Sequence, residues 1–298
     1  MCKDYLLITK PGIIMGNLIA AASGFFLASR GDINLDLLTF VLLGTSLVVA
    51  SGCVLNNAID RDIDCKMNRT KHRALASGRL RVSSALVYGF LLGILGFTIL
   101  VFQTNWVAVF FAGLGFVVYV GLYSLRYKRS SIYGTLIGSL SGACPPVIGY
   151  VAVTNQFDIG GAILLLTFCL WQIPHSYAIA IYRFEDYRAA KIPVLPIEQG
   201  IQAARRHMIA YIIGFAVAAL MLTYHGYVGN LYALIMGGCS LYWLYLAKIG
   251  YQPENERLWA RKLFVFSIVI IATFSILISI DFNSAETTQT LTDVIASR

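Results

Sequence analysis

The chain has 298 residues, of which 58% are hydrophobic and only 13% charged, with a formal net charge of +8. A mean hydropathy of +0.71 excludes a soluble domain with an ordinary polar surface and indicates a polytopic membrane protein. The positive charge needs no nucleic acid to explain it, because it follows the topology of the apolar runs.

Runs of about 20 apolar residues can cross a ~30 Å hydrocarbon core as helices. They predict spans at 11–29, 37–57, 82–102, 106–125, 132–153, 160–182, 207–224, 229–249 and 263–280. The expected fold class is an all-α integral membrane protein, with about nine transmembrane helices in one bundle. It forms a single domain over residues 1–298, with a polar, mobile tail at 283–298. The start, "MCKDYLLITKPG", lacks a basic segment feeding a short apolar stretch and a cleavage site, so the first helix is expected to stay as an anchor. Of the 23 lysines and arginines, 21 fall at the N-terminus or in the regions 58–81, 126–131, 183–206 and 248–262. Only Arg30 and Arg298 fall on the other side, which sets the N-terminus and the four basic regions in the cytoplasm. The six cysteines show no paired spacing and read as small packing residues.

Two of the cytoplasmic loops, 58–81 and 183–206, are long, and each opens with acidic residues at a helix end. They lie four spans apart, which suggests a tandem repeat of four-helix units with both loops over one end of the bundle. In "GTLIGSLSG", Gly134, Gly138 and Gly142 repeat every four residues and invite a neighbouring backbone to approach. Pro145 and Pro146 are expected to bend or interrupt the same span beside a cavity.

The first long loop begins "NNAIDRDIDCKMNRT". On a helix Asn56, Asp60 and Asp64 drift only ~40° per step of four and line one face. Two carboxylates and an amide oxygen on one stripe suit Mg²⁺, which keeps several waters and shares the phosphate oxygens of a substrate. A merely solvated acidic loop is the plainer reading, but carboxylates at a membrane helix end are costly and usually functional. Asp62, ~200° from Asp60, points away toward the basic residues. Arg69 and Arg73 present guanidinium forks suited to a diphosphate, whereas Lys66 and Lys71 serve equally well as topology signals or headgroup contacts. Lys128 and Arg129, at another cytoplasmic helix end, divide evenly between the same two roles. Tyr119 and Tyr123 precede Lys128 by about a turn; ring stabilisation of a carbocation competes with ordinary packing, which is the commoner use.

The second loop follows "WQIPHSYAIAIYRFEDYRAAKIPVLP". If the helix continues, His175 and Asp186 are ~20° apart in projection, with Tyr182 on the same stripe. The face then runs from an imidazole within a span to a carboxylate at the membrane edge. Asp186, not Glu185, is the expected ligand. His175 reads either as a hydrogen-bonded structural residue or as a contact for substrate or cofactor.

Together these motifs resemble the UbiA-type intramembrane prenyltransferases. The first loop matches N-x-x-x-D-x-x-x-D followed by R-T-x-x-R. Adding "PHSYAIAIYR" and "EDYRAAKIPVLP", the chain is similar over almost its whole length to the haem-directed branch, which farnesylates protohaem IX. The resemblance implies a metal and diphosphate site at Asn56, Asp60, Asp64 and Asp186, with Arg69, Arg73 and Lys128 on the diphosphate. His175 becomes a haem-iron ligand or a neighbour of the acceptor vinyl group. It also implies Mg²⁺, the substrates farnesyl diphosphate and protohaem IX, haem O as product, and a multi-pass location in a bacterial plasma membrane. A haem A synthase or a terminal oxidase is the implied recipient. Where the wider superfamily has a second D-x-x-x-D, this chain has Asp186 and Ala190, which fits the haem branch better than enzymes acting on a quinone precursor such as 4-hydroxybenzoate. A transporter would carry its charge near the bilayer midplane, and a non-catalytic haem chaperone would have no use for Asp60 and Asp64.

Overall fold

The computed structural model describes residues 2–249 and 255–283. The expected tail lies, beyond its first residue, outside the described residues. Among these there are nine helices long and apolar enough to cross a membrane: Pro11–Ser29, Leu35–Ile59, Val82–Gln103, Trp106–Ser130, Gly134–Thr154, Ile159–Tyr182, Gly200–Tyr224, Asn230–Ile249 and Glu256–Ile280. We refer to them as spans 1 to 9.

Their ends are set by side chains that take up orphan backbone donors. Asn34, Asn105 and Asn255 each accept a hydrogen bond from the third residue of the helix that follows. Asp158 accepts from both Gly160 and Gly161 at the start of span 6. Spans 7 and 9 begin at Gly200 and Glu256, a turn or more before the apolar runs predicted at 207 and 263. Those extra turns are joined by an ion pair between the two helices. Arg205, 3% exposed, donates to Glu256 at 2.7 Å and lies over the Trp259 ring.

Spans 1 and 5 pack backbone against backbone. A Cβ on Gly24 would overlap the Pro146 carbonyl, and one on Gly149 would overlap the backbone of Ala21 and Phe25. The glycine repeat expected to serve this purpose does so at one position, since a Cβ on Gly134 would lie 2.8 Å from the Tyr127 carbonyl oxygen of span 4. Gly138 instead faces the Tyr123 ring and Gly142 the Gln172 amide, so these two make room for side chains. Pro145 and Pro146 do not interrupt span 5, which runs helical from Gly134 to Thr154 through both.

In span 4, residues Val117–Tyr127 are π-helical. The Ser124 hydroxyl donates to the Tyr119 carbonyl five residues back at 2.8 Å, in step with the wider turn. On an α-helix Tyr123 and Lys128 would point ~140° apart. Closing bonds that skip five residues bring such a pair back toward one face.

The start of span 1, the ends of spans 2, 4 and 6, and the two long loops meet at one end of the bundle. Ile63 and Met67 of the first loop are buried against Ala190 and Ile192 of the second. The backbone N–H of Asn68 donates to Asp186 at 2.9 Å, tying the loops together.

Candidate active site

Span 2 ends at Ile59, and Asp60 is the hinge residue before a short helix, Arg61–Asp64. The helical bonding pattern nevertheless survives the hinge, with Asp60 N–H donating to the Asn56 carbonyl and Asp64 N–H to that of Asp60, both at 2.8 Å. The stripe expected from the spacing of four is thereby kept. Asn56, Asp60 and Asp64 are 3%, 1% and 4% exposed, yet all three line a polar chamber of about 280 Å³.

Positive groups ring this chamber. Lys128 pairs with Asp60 Oδ2, which also accepts from Asn56 Nδ2 at 2.8 Å. Arg73 pairs with Asp64 at 2.8 Å. Lys10 donates to Asn56 Oδ1 at 2.6 Å, and Arg69 completes the lining. Burial holds the Lys10 ammonium down to about 8, with the charges of Arg73 and Lys128 adding to the effect against the opposing influence of Cys53. Tyr187 also lines the chamber, and burial pushes its phenol up, keeping it a neutral hydrogen-bond donor.

Asp60 Oδ1 is buried without a hydrogen-bond partner. Among the described residues, no three His, Cys, Asp or Glu side chains converge as a cage made only of protein would require. An anionic oxygen with no hydrogen bond, its counter-charge from Arg129 standing off at 3.8 Å, beside a second carboxylate fits a hard cation that takes its remaining ligands from water and phosphate.

A second chamber of about 650 Å³ adjoins the first, with Tyr119, Tyr123, Ser141, Gln172 and Ser176 lining both. It is bounded by spans 1, 2, 4, 5, 6 and 9, and its lining includes no Asp, Glu, Lys or Arg. The Tyr119 and Tyr123 rings stack at the junction, 6.1 Å between centroids and 17° between planes. His175 lines this apolar chamber and not the polar one.

The remaining expected residues stand elsewhere. The helix does not continue from His175 to Asp186: it stops at Tyr182, turns at Arg183 and restarts at Phe184. His175 and Tyr182 remain seven apart on one helix, and it is Asp186, beyond the turn, that leaves their face. Asp186 receives the Asn68 N–H and Tyr182 lies against Arg183 and Arg257, with neither side chain lining a chamber. Arg129 grips Asp62 through two bonds of 2.7 Å, donates to the Ile59 carbonyl at 2.6 Å and lies 3.8 Å from Asp60 Oδ1, fastening span 4 to the end of span 2 beside the polar chamber. That contact holds Asp62 down to about 2 and explains why it points away from the stripe.

Lys10 and Tyr187 escaped the sequence reading. A lone lysine before Pro11 looks like a topology charge, and Tyr187 is one aromatic among many. Replacing Lys10 with methionine is expected to weaken binding of inorganic diphosphate in the chamber about tenfold, since one charge-assisted contact is lost, and calorimetric titration checks this.

The model of the UbiA prenyltransferase family matches residues 17–269. The chain belongs to this family. Its fold agrees with solved members. A digeranylgeranylglyceryl phosphate synthase superposes with a TM-score of 0.77 at 21% identity, covering 94% of this chain and 98% of its own. A UbiA homologue from Archaeoglobus fulgidus, bound to GPP and Mg²⁺, superposes at 0.72 with 16% identity over 93% and 100% of the two chains. Much nearer in sequence are the protohaem IX farnesyltransferases of Cronobacter sakazakii, 58% identical over 99% of this chain and all of that one, and of Serratia proteamaculans, 57% identical over 98% of each. Family membership and the nine apolar helices make this a multi-pass membrane enzyme of prenyl transfer.

Proposed function

We propose that the enzyme transfers the farnesyl group of farnesyl diphosphate to a vinyl group of protohaem IX, with addition of water, giving haem O and diphosphate. The observation that carries this reading is the junction of a small, cation-ringed chamber with a larger uncharged one, in a chain so close throughout its length to protohaem IX farnesyltransferases. One chamber suits a diphosphate. The other suits lipophilic reactants.

Lys10, Arg69, Arg73 and Lys128 hold the diphosphate and take up the charge that grows as the allylic C–O bond breaks. Asn56, Asp60 and Asp64 hold Mg²⁺, which when bound supplies further charge neutralisation to the leaving group. Arg129 and Asp186 position this machinery, the first by fastening span 4 to span 2 and the second by pinning one loop to the other. The departing diphosphate keeps the electron pair of the broken bond. Tyr119 and Tyr123 offer their ring faces to the farnesyl cation at the chamber junction. The vinyl π-electrons form the new C–C bond, and the positive charge passes to the carbon next to the porphyrin. Water adds there and releases one proton. The uncharged lining of the larger chamber limits premature capture of the cation by water. The chamber end faces the cytoplasm of a bacterial plasma membrane, following the distribution of lysine and arginine.

Incubation of purified protein with haem B, farnesyl diphosphate and Mg²⁺, followed by mass spectrometry of the extracted haems, tests the reading. Haem O that disappears on chelation is the expected result. Unchanged haem B, with 4-hydroxybenzoate prenylated in a parallel reaction, would overturn it.

A further inference from the structure

We propose that His175 Nε2 is the axial ligand that holds the haem iron in the larger chamber, and that Ser267 fixes the tautomer that makes this nitrogen available. The inference rests on the function proposed above and adds to it a means of anchoring the acceptor.

The two imidazole nitrogens have different surroundings. Nδ1 lies 2.7 Å from Ser267 Oγ. The single hydroxyl proton of Ser267 is donated to the Phe264 carbonyl at 2.6 Å. Oγ is therefore left as an acceptor, and Nδ1 carries the hydrogen. In the neutral ring the lone pair then resides on Nε2, which has no hydrogen-bond partner among the described residues. His175 lines a chamber without Asp, Glu, Lys or Arg.

The ring is also held against rotation. Trp171 stacks on it with centroids 4.7 Å apart and planes 27° apart, and Phe264 flanks it at 5.2 Å. Trp171 is fixed in turn, because its indole N–H donates to the Ser267 carbonyl at 2.7 Å. One residue of span 9 thus orients both rings of span 6, its hydroxyl taking the imidazole and its carbonyl the indole. A histidine with tautomer and orientation fixed by one nitrogen, and a free lone pair on the other, is the arrangement found at metal-binding imidazoles.

General-base action fits this surrounding less well. Protonation of Nε2 would leave an imidazolium in a lining with no carboxylate to pair it. Iron takes the lone pair of the neutral ring. Binding the macrocycle through its centre leaves its vinyl-bearing edge free to react.

The test uses the purified full chain loaded with ferric haem B and read by absorption and electron paramagnetic resonance. The wild type is expected to give an imidazole-ligated spectrum. His175→Ala is expected to lose that signature, to regain it with free imidazole, and to bind farnesyl diphosphate with unchanged Kd. Ser267→Ala is expected to keep imidazole ligation with haem affinity lowered about tenfold, the effect of removing a group that orients a metal ligand. A His175→Ala spectrum identical to wild type, with farnesyl diphosphate binding intact, overturns the ligand assignment. Unchanged haem affinity in Ser267→Ala overturns the tautomer assignment, and this variant keeps the proposal testable if His175→Ala fails to fold. Failure of the wild type to make haem O would instead remove the proposed function itself, so the two failures are distinguishable.

Discussion

Replacing Asp60 with asparagine is expected to lower kcat at least about a hundredfold while leaving the protein inserted in the membrane, an effect of the size seen when one group stabilising transition-state charge is removed. Asparagine keeps the shape of the side chain and loses its charge. The oxygen that matters is Oδ1, buried and without a hydrogen-bond partner, because an amide oxygen there is a much poorer ligand for a hard cation. The substitution also removes the counter-charge of Lys128, whose side chain is 17% exposed. Leaving a buried charge unpaired is destabilising, but Lys128 opens onto a polar chamber, so a modest fall in thermal midpoint is expected, not unfolding. Asp64→Asn, which releases Arg73, is expected to act in the same direction. Turnover measured against Mg²⁺ concentration, beside tryptophan fluorescence melting, separates the two effects. Full turnover with an unshifted Mg²⁺ response would remove Asp60 from the metal site.

The second large effect concerns the fold. Gly24→Val is expected to leave little folded protein, because the first added carbon would already sit 2.8 Å from the carbonyl carbon of Pro146. Overpacking commonly costs ~1–3 kcal/mol when side chains can yield. Here the obstacle is the backbone of span 5, which already carries two prolines at this level. Gly237→Ala is the control, since nothing lies within 4 Å of a Cβ there. Yield and monodispersity in detergent are the measurements. Wild-type recovery of Gly24→Val would refute the close packing of spans 1 and 5.

The number and order of the spans were legible in the sequence because a bilayer demands long apolar runs and charge was confined to their ends. The Asn56, Asp60 and Asp64 stripe was legible because a spacing of four means the same thing on a helix whether or not a hinge intervenes, provided the bonding pattern is kept. The His175 to Asp186 stripe was drawn by the same rule and failed, because the chain turns at Arg183. Glycine spacing identified where space is left without saying what fills it: Tyr123 and Gln172 occupy places expected to admit a helix backbone. Ala190 was noticed for the carboxylate it lacks. In the structure it is 4% exposed within the apolar contact that joins the two loops, so a charge at that position would be buried among Ile63, Met67 and Ile192. Lys10 required knowledge of which helix ends meet, and that is a tertiary fact.

The π-helical stretch of span 4 makes the reach of Lys128 a matter of backbone register as much as of residue type. Were residues 117–127 to rewind as an α-helix with no change of sequence, Lys128 would swing ~140° from the face of Tyr123. Asp60 would lose its nearest cation although no side chain had been altered. A one-residue deletion between Tyr123 and Lys128 would leave the pair four apart and nearly aligned on an ordinary helix. Counting identities at positions 119, 123 and 128 therefore misjudges distant homologues on both sides, passing chains whose winding separates these groups and rejecting shorter ones whose winding unites them.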